Sequence, residues 1–323
     1  MKLKPILLTL FLGVNTIAQG LPAWSQNDSG KKTIALVLGG GGARGAAHIG
    51  VIKVLEENGM RPDIVVGTSM GAIIGGLYAC GVPIDKLEKV TQDGSIKRAF
   101  RPVPISLQIM KKGAKRLVFW RKKSVAGFYT GESLAKFINQ TVGDENNKIE
   151  NFPMRYAAVV VDLQDAKAYR LEKGDLGMAA RASSSLPPLF SPVCQDGHAY
   201  ADGGIRANVP VIPAREMGAD YVIAVNVDEI IKPIEEKDLY TYNSLTNRMT
   251  SIIITARDET VMKQADVVLQ PDVAGIPIIS VEDKDYTKAM EAGVIVARSK
   301  LDELKKVFAM RDGANMKLGS KLE

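Results

Sequence analysis

The chain has 323 residues, with 42 Lys and Arg against 36 Asp and Glu, a formal charge of +6. That length suits one large α/β domain or two modest ones, and the composition excludes a disordered or fibrous chain. So diffuse a positive charge gives no case for a nucleic-acid partner, although it is compatible with visits to an anionic membrane surface.

In chain order, residues 1–25 read as an export signal. Lys2 and Lys4 form a short basic region and Ile6 to Ile17 a mostly apolar one. Ala23-Trp24-Ser25 offers a small-residue cleavage site, with Ala18-Gln19-Gly20 as a second. The apolar run is short for a bilayer span of about 20 residues, and no Cys follows it for lipid attachment. The expected destination is a periplasm or the exterior, with membrane association an open alternative. Asn27 to Lys32 is a polar linker. Thr33 to Leu38 is a continuous apolar run, expected as a buried parallel strand. Gly39 to Gly42 breaks it, and Ala43 to Asn58 is expected as a helix stopped by Gly59. Ile64 to Val66 reads as a second strand. Met70 to Cys80 reads as a helix apolar nearly all round, hence buried, ended by Gly81 and Pro83.

The stretch from Ser95 to Phe128 is basic and carries aromatics. Within it, residues 111–123 combine seven cations with Phe119 and Trp120, a combination suited to peripheral contact with anionic lipid. A solvated charged face is the plainer alternative. Further on, Gly131 to Thr141 is expected as a helix, Arg155 to Asp162 and Ala168 to Leu171 as strands, and Leu176 to Arg181 as a short helix. Ser183 to Pro192 is a Ser/Pro loop, and Tyr221 to Val227 a buried strand. Helices are expected at 240–265 and 285–309, with a short strand at 267–270 between them. Alternating strands and helices predict a three-layer α/β/α sandwich around a mostly parallel sheet. Cys80 and Cys194 are the only cysteines, expected as free thiols. No Cys/His cluster implies zinc, and neither metal nor cofactor is expected.

The strongest chemical signal is Gly67-Thr68-Ser69-Met70-Gly71, between a predicted strand and a predicted helix. A turn this tight forces its central residue into strained backbone angles. Gly67 and Gly71 remove Cβ atoms that would clash, and Ser69 is held beside a helix N-terminus. That N-terminus offers free N–H groups and partial positive charge to a developing oxyanion. The second signal, Gly39-Gly40-Gly41-Gly42-Ala43-Arg44-Gly45, follows the first strand. Gly40-x-Gly42-x-x-Gly45 fits a dinucleotide fingerprint, but that reading needs an acidic residue at the end of the second strand. The serine turn occupies that place, and Asp63 lies at the strand's other end. An oxyanion loop one strand from a serine is the better reading.

A serine needs a base. The chain has only two histidines, His48 and His198. A Ser–acid–His order points to His198 with Asp162 or Asp196 as its orienter, while His48 reads as a satisfied packing residue. Alternatively, a buried carboxylate with a raised pKa bonds the serine directly. Asp202, in Ala201-Asp202-Gly203-Gly204, is the candidate. The residues alone leave these alternatives open.

The three blocks Gly40 to Gly45, Gly67 to Gly71 and Asp202-Gly203-Gly204, in this order, together resemble the patatin-like phospholipases. The stretch Ala182 to Pro192 also resembles the loop preceding that family's aspartate, and the match covers roughly Thr33 to Asp228. The resemblance implies a Ser–Asp dyad that hydrolyses lipid acyl esters, with Ser69 as nucleophile and Asp202 as base. It also implies an oxyanion hole in which Gly41 and Gly42 donate N–H groups and Gly40 shapes the loop. Arg44 matches a basic position beside that hole, where it either holds the loop or faces a phosphate. The last block reads Asp-Gly-Gly where many members have Asp-Gly-Ala.

These readings combine into an expected catalytic domain at 33–228 and a C-terminal helical extension at 229–323 packing on it. The expected activity is lipid acyl-ester hydrolysis, with a phospholipid or other acyl-ester lipid as partner. Acyl transfer on the same dyad is the alternative. The oligomeric state is not legible.

Overall fold

The computed structural model describes residues 31–100, 127–187, 189–231, 233–280 and 282–311. The expected signal at 1–25 and the basic-aromatic segment at 111–123 lie outside the described residues.

The sheet is built on β1 (Ile34–Leu38), an apolar run with every residue buried. β1 pairs in parallel with β2 (Ile64–Thr68) and with β7 (Tyr221–Val225). β3 (Arg155–Asp162) adds in parallel outside β2, and β8 (Val267–Leu269) in parallel outside β7. Three antiparallel strands, β4 (Lys167–Leu171), β5 (Val193–Gln195) and β6 (His198–Asp202), gather around β3. The order is β5-β6-β3-β2-β1-β7-β8, with β4 also on β3. The sheet is therefore parallel through its centre and antiparallel at one side.

Alternate residues of β1 feed two cores, as the strand period of two requires. Ile34, Leu36 and Leu38 pack into one cluster with α1 (Ala47–Glu57) and α2 (Met70–Ala79). Ala35 and Val37 pack into the other with Val211 and Ala214 of α8 (Val211–Glu216). Helices thus cover both faces, as the expected three-layer sandwich requires. On the first face lie also α3 (Ile84–Gln92), α4 (Ser95–Phe100), α5 (Glu132–Val142) and α6 (Leu176–Ser183). α7 (Gly204–Ala207) follows Asp202, and α9 (Tyr242–Met262) places Val261 and Met262 against the second core.

The region after Asp228 is more than a helical extension. β8 is an integral strand of the sheet, and α10 (Asp283–Ser299) lies directly on α1. A Cβ on Gly293 would stand 2.0 Å from Ala47 O, and one on Gly50 2.1 Å from Met290 O, so these backbones meet only because both positions are glycine. The expected helix at 285–309 is two helices, α10 and α11 (Leu301–Arg311), broken at Lys300. The expected helix from Ala43 opens as a 3₁₀ turn over Gly42–Ala46 before α1 begins. Cys80 and Cys194 are free thiols. Among the described residues no helix is long and apolar enough to cross a membrane.

Candidate active site

The site forms where two strands end against the middle of a third. β2 pairs with β3 from Arg155 to Val159, and β6 pairs with it from Val160 to Asp162. β4 overlaps both stretches on β3, so it holds the opposite edge, and β2 and β6 share one edge. Thr68 sits beside Val159 and Asp202 beside Val160. The two strands run toward each other, so their C-terminal ends meet, bringing Ser69 and Asp202 together.

Ser69 caps α2 with φ 53° and ψ −120°, a left-handed φ that is strained for a residue bearing a Cβ. The surroundings enforce it. A Cβ on Gly67 would lie 2.3 Å from Gly71 O, and one on Gly71 2.1 Å from Leu38 O, so no larger residue fits on either flank. The Ser69 N–H donates to Ser183 Oγ at 3.0 Å, and Ser183 Oγ donates to Val159 O at 2.6 Å. The Asp202 N–H donates to Ser185 O at 3.0 Å. Ser183, at the end of α6, thus ties Ser69 to β3, and Ser185, just past it, holds Asp202.

The Asp202 carboxylate is buried and accepts the Gly204 N–H at 2.8 Å, and the Ser69 side chain beside it acts to lower its pKa. Burial pushes its pKa from 3.8 up to about 6, against the lowering effect of the Gly204 and Ser69 hydrogen bonds. Desolvation therefore wins, and it makes this carboxylate a stronger base than a solvated one. Ser69 is only partly buried and remains reachable from solvent.

The glycine loop stands over Ser69, and a Cβ on Gly40 would lie 3.2 Å from Ser69 Cβ. Gly39 N–H donates to Val225 O, Gly40 N–H to Asn208 O and Ala43 N–H to Ile278 O. Among the described residues the Gly41 and Gly42 N–H groups have no partner, and these two glycines are partly exposed. Gly42 has φ +57° and meets Ile278 O at 2.0 Å from its notional Cβ, so a side chain is excluded twice over. Gly45 is needed for closeness of another kind: a Cβ there would meet Met70 Cγ at 2.4 Å.

Arg44 turns away from this face. Its Nε donates to Ile276 O at 2.6 Å and its Nη2 pairs with Glu229 at 2.9 Å, with the residue itself buried. Of the two roles left open for it, this geometry is that of a brace for the loop. The two partners come from the stretches after β8 and after β7, where the sequence offers no motif.

Neither histidine reaches the dyad. His198 Nδ1 lies 2.6 Å from Asp162 Oδ2, so the expected His–acid contact exists. It sits at the opposite end of β6 from Asp202, ~13 Å away at the rise of an extended strand. His48 is fully buried with Nε2 at 2.7 Å from Gly39 O, and burial lowers its pKa to about 4. It is only half satisfied, since Nδ1 has no partner. Asp196 takes neither role: with φ 51° it forms, with Gly197 at φ +83°, the two-residue turn between β5 and β6.

Two residues at the site have no role in the sequence reading. Ser183 lies in the Ser/Pro stretch, where nothing separates it from its neighbours. Asn208 is buried between Ala207 and Val209-Pro210, and an amide flanked by apolar residues signals a hydrogen-bonding task. A cavity of about 390 Å³ opens between β4, α7, α8 and α9, lined by Tyr169, Arg170, Val209, Ile212 and Asp258 among others. None of Ser69, Asp202 or the glycine loop lines it, so it is not a pocket for a group bound at Ser69.

The profile of the family described as patatin-like phospholipase matches residues 36–215. The chain is 39% identical over 213 residues to human "Patatin-like phospholipase domain-containing protein 6", covering 65% of this chain and 14% of that protein. It is 35% identical over 204 residues to "Lysophospholipase nte1" of Emericella nidulans, covering 62% of this chain and 12% of that protein. The chain therefore spans about one seventh of the length of these relatives or less. Among solved structures it is similar to VipD from Legionella pneumophila, with a TM-score of 0.47 and 15% identity over 85% of this chain and 67% of that one. With its three glycine, serine and aspartate blocks all inside the matched span or, for the glycine loop's supports, packed against it, the chain belongs to the patatin-like phospholipase family.

Proposed function

We propose that this protein is a serine lipid acyl hydrolase working through Ser69 and Asp202. The observation that carries the reading is the convergence of Ser69, at the end of β2, with the buried Asp202 carboxylate at the end of β6, whose pKa is raised to about 6, with both histidines out of reach. Asp202 takes the Ser69 proton as Oγ attacks the ester carbonyl. The resulting oxyanion is stabilised by the Gly41 and Gly42 N–H groups and the N-terminus of α2. Collapse expels the alcohol, which takes the proton from Asp202, and leaves Ser69 acylated. Asp202 then deprotonates a water that attacks the acyl-enzyme, and its proton returns to Ser69 as the free acid departs.

The relatives' descriptions as phospholipase and lysophospholipase favour a phospholipid or lysophospholipid as substrate. Exposed Leu186, Ile205 and Ile279 adjoin residues that touch the site, namely Ser185, Gly204 and Ile278. Peripheral contact with a lipid surface through these residues, together with 111–123, is part of this reading.

The test is release of fatty acid from defined phospholipids and lysophospholipids, followed by mass spectrometry. Ser69→Ala is expected to abolish it, and Asp202→Asn to lower it about a hundredfold or more, the usual cost of losing a general base. Retention of activity within about tenfold by either variant would overturn the dyad. Analysis with a competing alcohol present separates hydrolysis from acyl transfer.

A further inference from the structure

A second pair of buried carboxylates stands behind the glycine loop, and the dyad mechanism makes no use of it. Asp228, just past β7, and Asp258, on α9, are both buried. Asn208 Nδ2 donates to Asp228 Oδ2 at 2.8 Å and to Asp258 Oδ2 at 3.2 Å, so one nitrogen holds the two carboxyl groups together. The carboxyls also bond to each other, and burial together with the Asp258 charge raises the pKa of Asp228. Two such groups in contact retain one proton between them, because both cannot ionise side by side away from water.

The other side of Asn208 faces the active site. Its backbone carbonyl accepts the Gly40 N–H at 3.1 Å. Its Oδ1 would lie 2.5 Å from a Cβ on Gly40 and 3.1 Å from one on Gly204, the latter point also 3.1 Å from Asp202 Oδ1. The amide is thus wedged between the glycine loop, the residue after the Asp-Gly pair and the carboxyl pair. The backbone N–H of Val209 donates to Asp258 Oδ1 at 3.4 Å, fixing the chain on the far side.

We propose that Asn208, clamped by the Asp228 and Asp258 carboxyl groups, is a positioning residue that sets the height of the glycine loop over Ser69. The role rests on the hydrolase reading above. It acts through Gly40, whose neighbours Gly41 and Gly42 carry the uncommitted N–H groups. A loop displaced by even ~1 Å loses much of a donor's effect on the oxyanion while leaving ester binding intact.

Among the described residues, the charged groups acting on Asp228 are Asp258 and Arg44. Arg44 on the glycine loop lowers the pKa of Asp228, and Glu229 neutralises Arg44 in turn. Asp202 lies beyond Gly204, and Asp258 lines the cavity between β4, α7, α8 and α9, which gives its proton a route to water. Raising the pH strips the shared proton, sets two carboxylates against each other across Asn208 and loosens the clamp.

The test uses the full chain and a soluble p-nitrophenyl ester, with kcat and KM measured from pH 5 to 9. Asn208→Ala and Asn208→Asp are expected to lower kcat about tenfold or more, with KM within about twofold and the acid limb due to Asp202 unmoved. Asp258→Asn leaves a permanent N–H donor opposite Asp228. It is expected to keep wild-type kcat at neutral pH and to remove the alkaline decline that the proposal predicts for the wild type. Should the Asn208 variants fail to fold, the Asp258→Asn profile decides by itself. Wild-type kcat in folded Asn208→Ala, or identical alkaline limbs in wild type and Asp258→Asn, overturns the proposal. Ser69→Ala run in parallel separates this outcome from failure of the hydrolase reading, because only the latter leaves activity without Ser69.

Discussion

Asp202→Asn should make the protein more stable at neutral pH while removing its activity. Burial holds the folded carboxyl at a pKa of about 6 against 3.8 in the solvated chain, a difference equivalent to about 3 kcal/mol. The sign follows from linkage. Below about pH 4 the group is protonated in both folded and unfolded chains, and the folded state bears no penalty. As the pH rises through about 6, the folded chain must hold a desolvated charge that the unfolded chain holds in water. Stability contributed by the neutral acid is therefore present at low pH and lost across the window from about 4 to 6. Asparagine keeps the shape and an oxygen for the Gly204 N–H, and it never ionises. The assay is urea unfolding of wild type and variant at several pH values between about 4.5 and 8, taking the difference at each so that other titrating groups cancel. The expected difference is small at the acid end and grows to about 2–3 kcal/mol in favour of the variant above pH 7. A difference that stays flat with pH, or a variant weaker than wild type at pH 8, refutes the claim that desolvation dominates at Asp202. The same titration predicts that kcat/KM of the wild type rises with pH through about 6, ahead of the alkaline decline assigned to the Asp228–Asp258 pair.

Other outcomes follow from the same structure. Ser69→Gly should be more stable than Ser69→Ala by about 1 kcal/mol in thermal melts, because only glycine meets φ 53° without strain. Ser183→Ala removes the acceptor of the Ser69 N–H and the donor to Val159 O. It should cost about 1–3 kcal/mol of stability and lower kcat, a result checked by unfolding and esterase assay together. Gly293→Ala forces a Cβ against Ala47 O and should destabilise by about 1–3 kcal/mol in urea titration, without a direct effect on the dyad. His198→Ala should leave esterase activity within about twofold, since its Asp162 contact lies at the far end of β6; a hundredfold loss would reinstate a histidine base.

Much of the scaffold was legible because its signals are local. Apolar runs of five residues in Ile34–Leu38 and Tyr221–Val225 mark buried parallel strands, and Met70–Ala79, apolar all round, marks a buried helix. The strand-turn-helix context of Ser69 reads directly from the spacing of Gly67 and Gly71. Where the reading slipped, a local signal was overruled by packing or had two meanings. Asp196-Gly197 is the turn of a tight hairpin, although a Ser–acid–His order also lets Asp196 read as a partner for His198. The β6 strand it introduces is short and framed by Asp-Gly pairs on both sides, so it reads as turn until β3 is there to pair with it.

The partnership of Ser69 with Asp202 is of another kind. No periodicity links two residues so far apart in the chain, and the sequence by itself supplied the two blocks and, through family resemblance, their pairing. The physical cause of the pairing is that β2 and β6 end head to head on one edge of β3, and only the assembled sheet contains that fact. The same holds for charge. An aspartate in a sequence has an ordinary pKa; burial in the folded chain decides that this one is raised to about 6. Tertiary structure also turned Arg44 inward as a brace and set Asn208 between the glycine loop and two carboxyls, since hydrogen-bonding partners are chosen by the fold and not by chain neighbours.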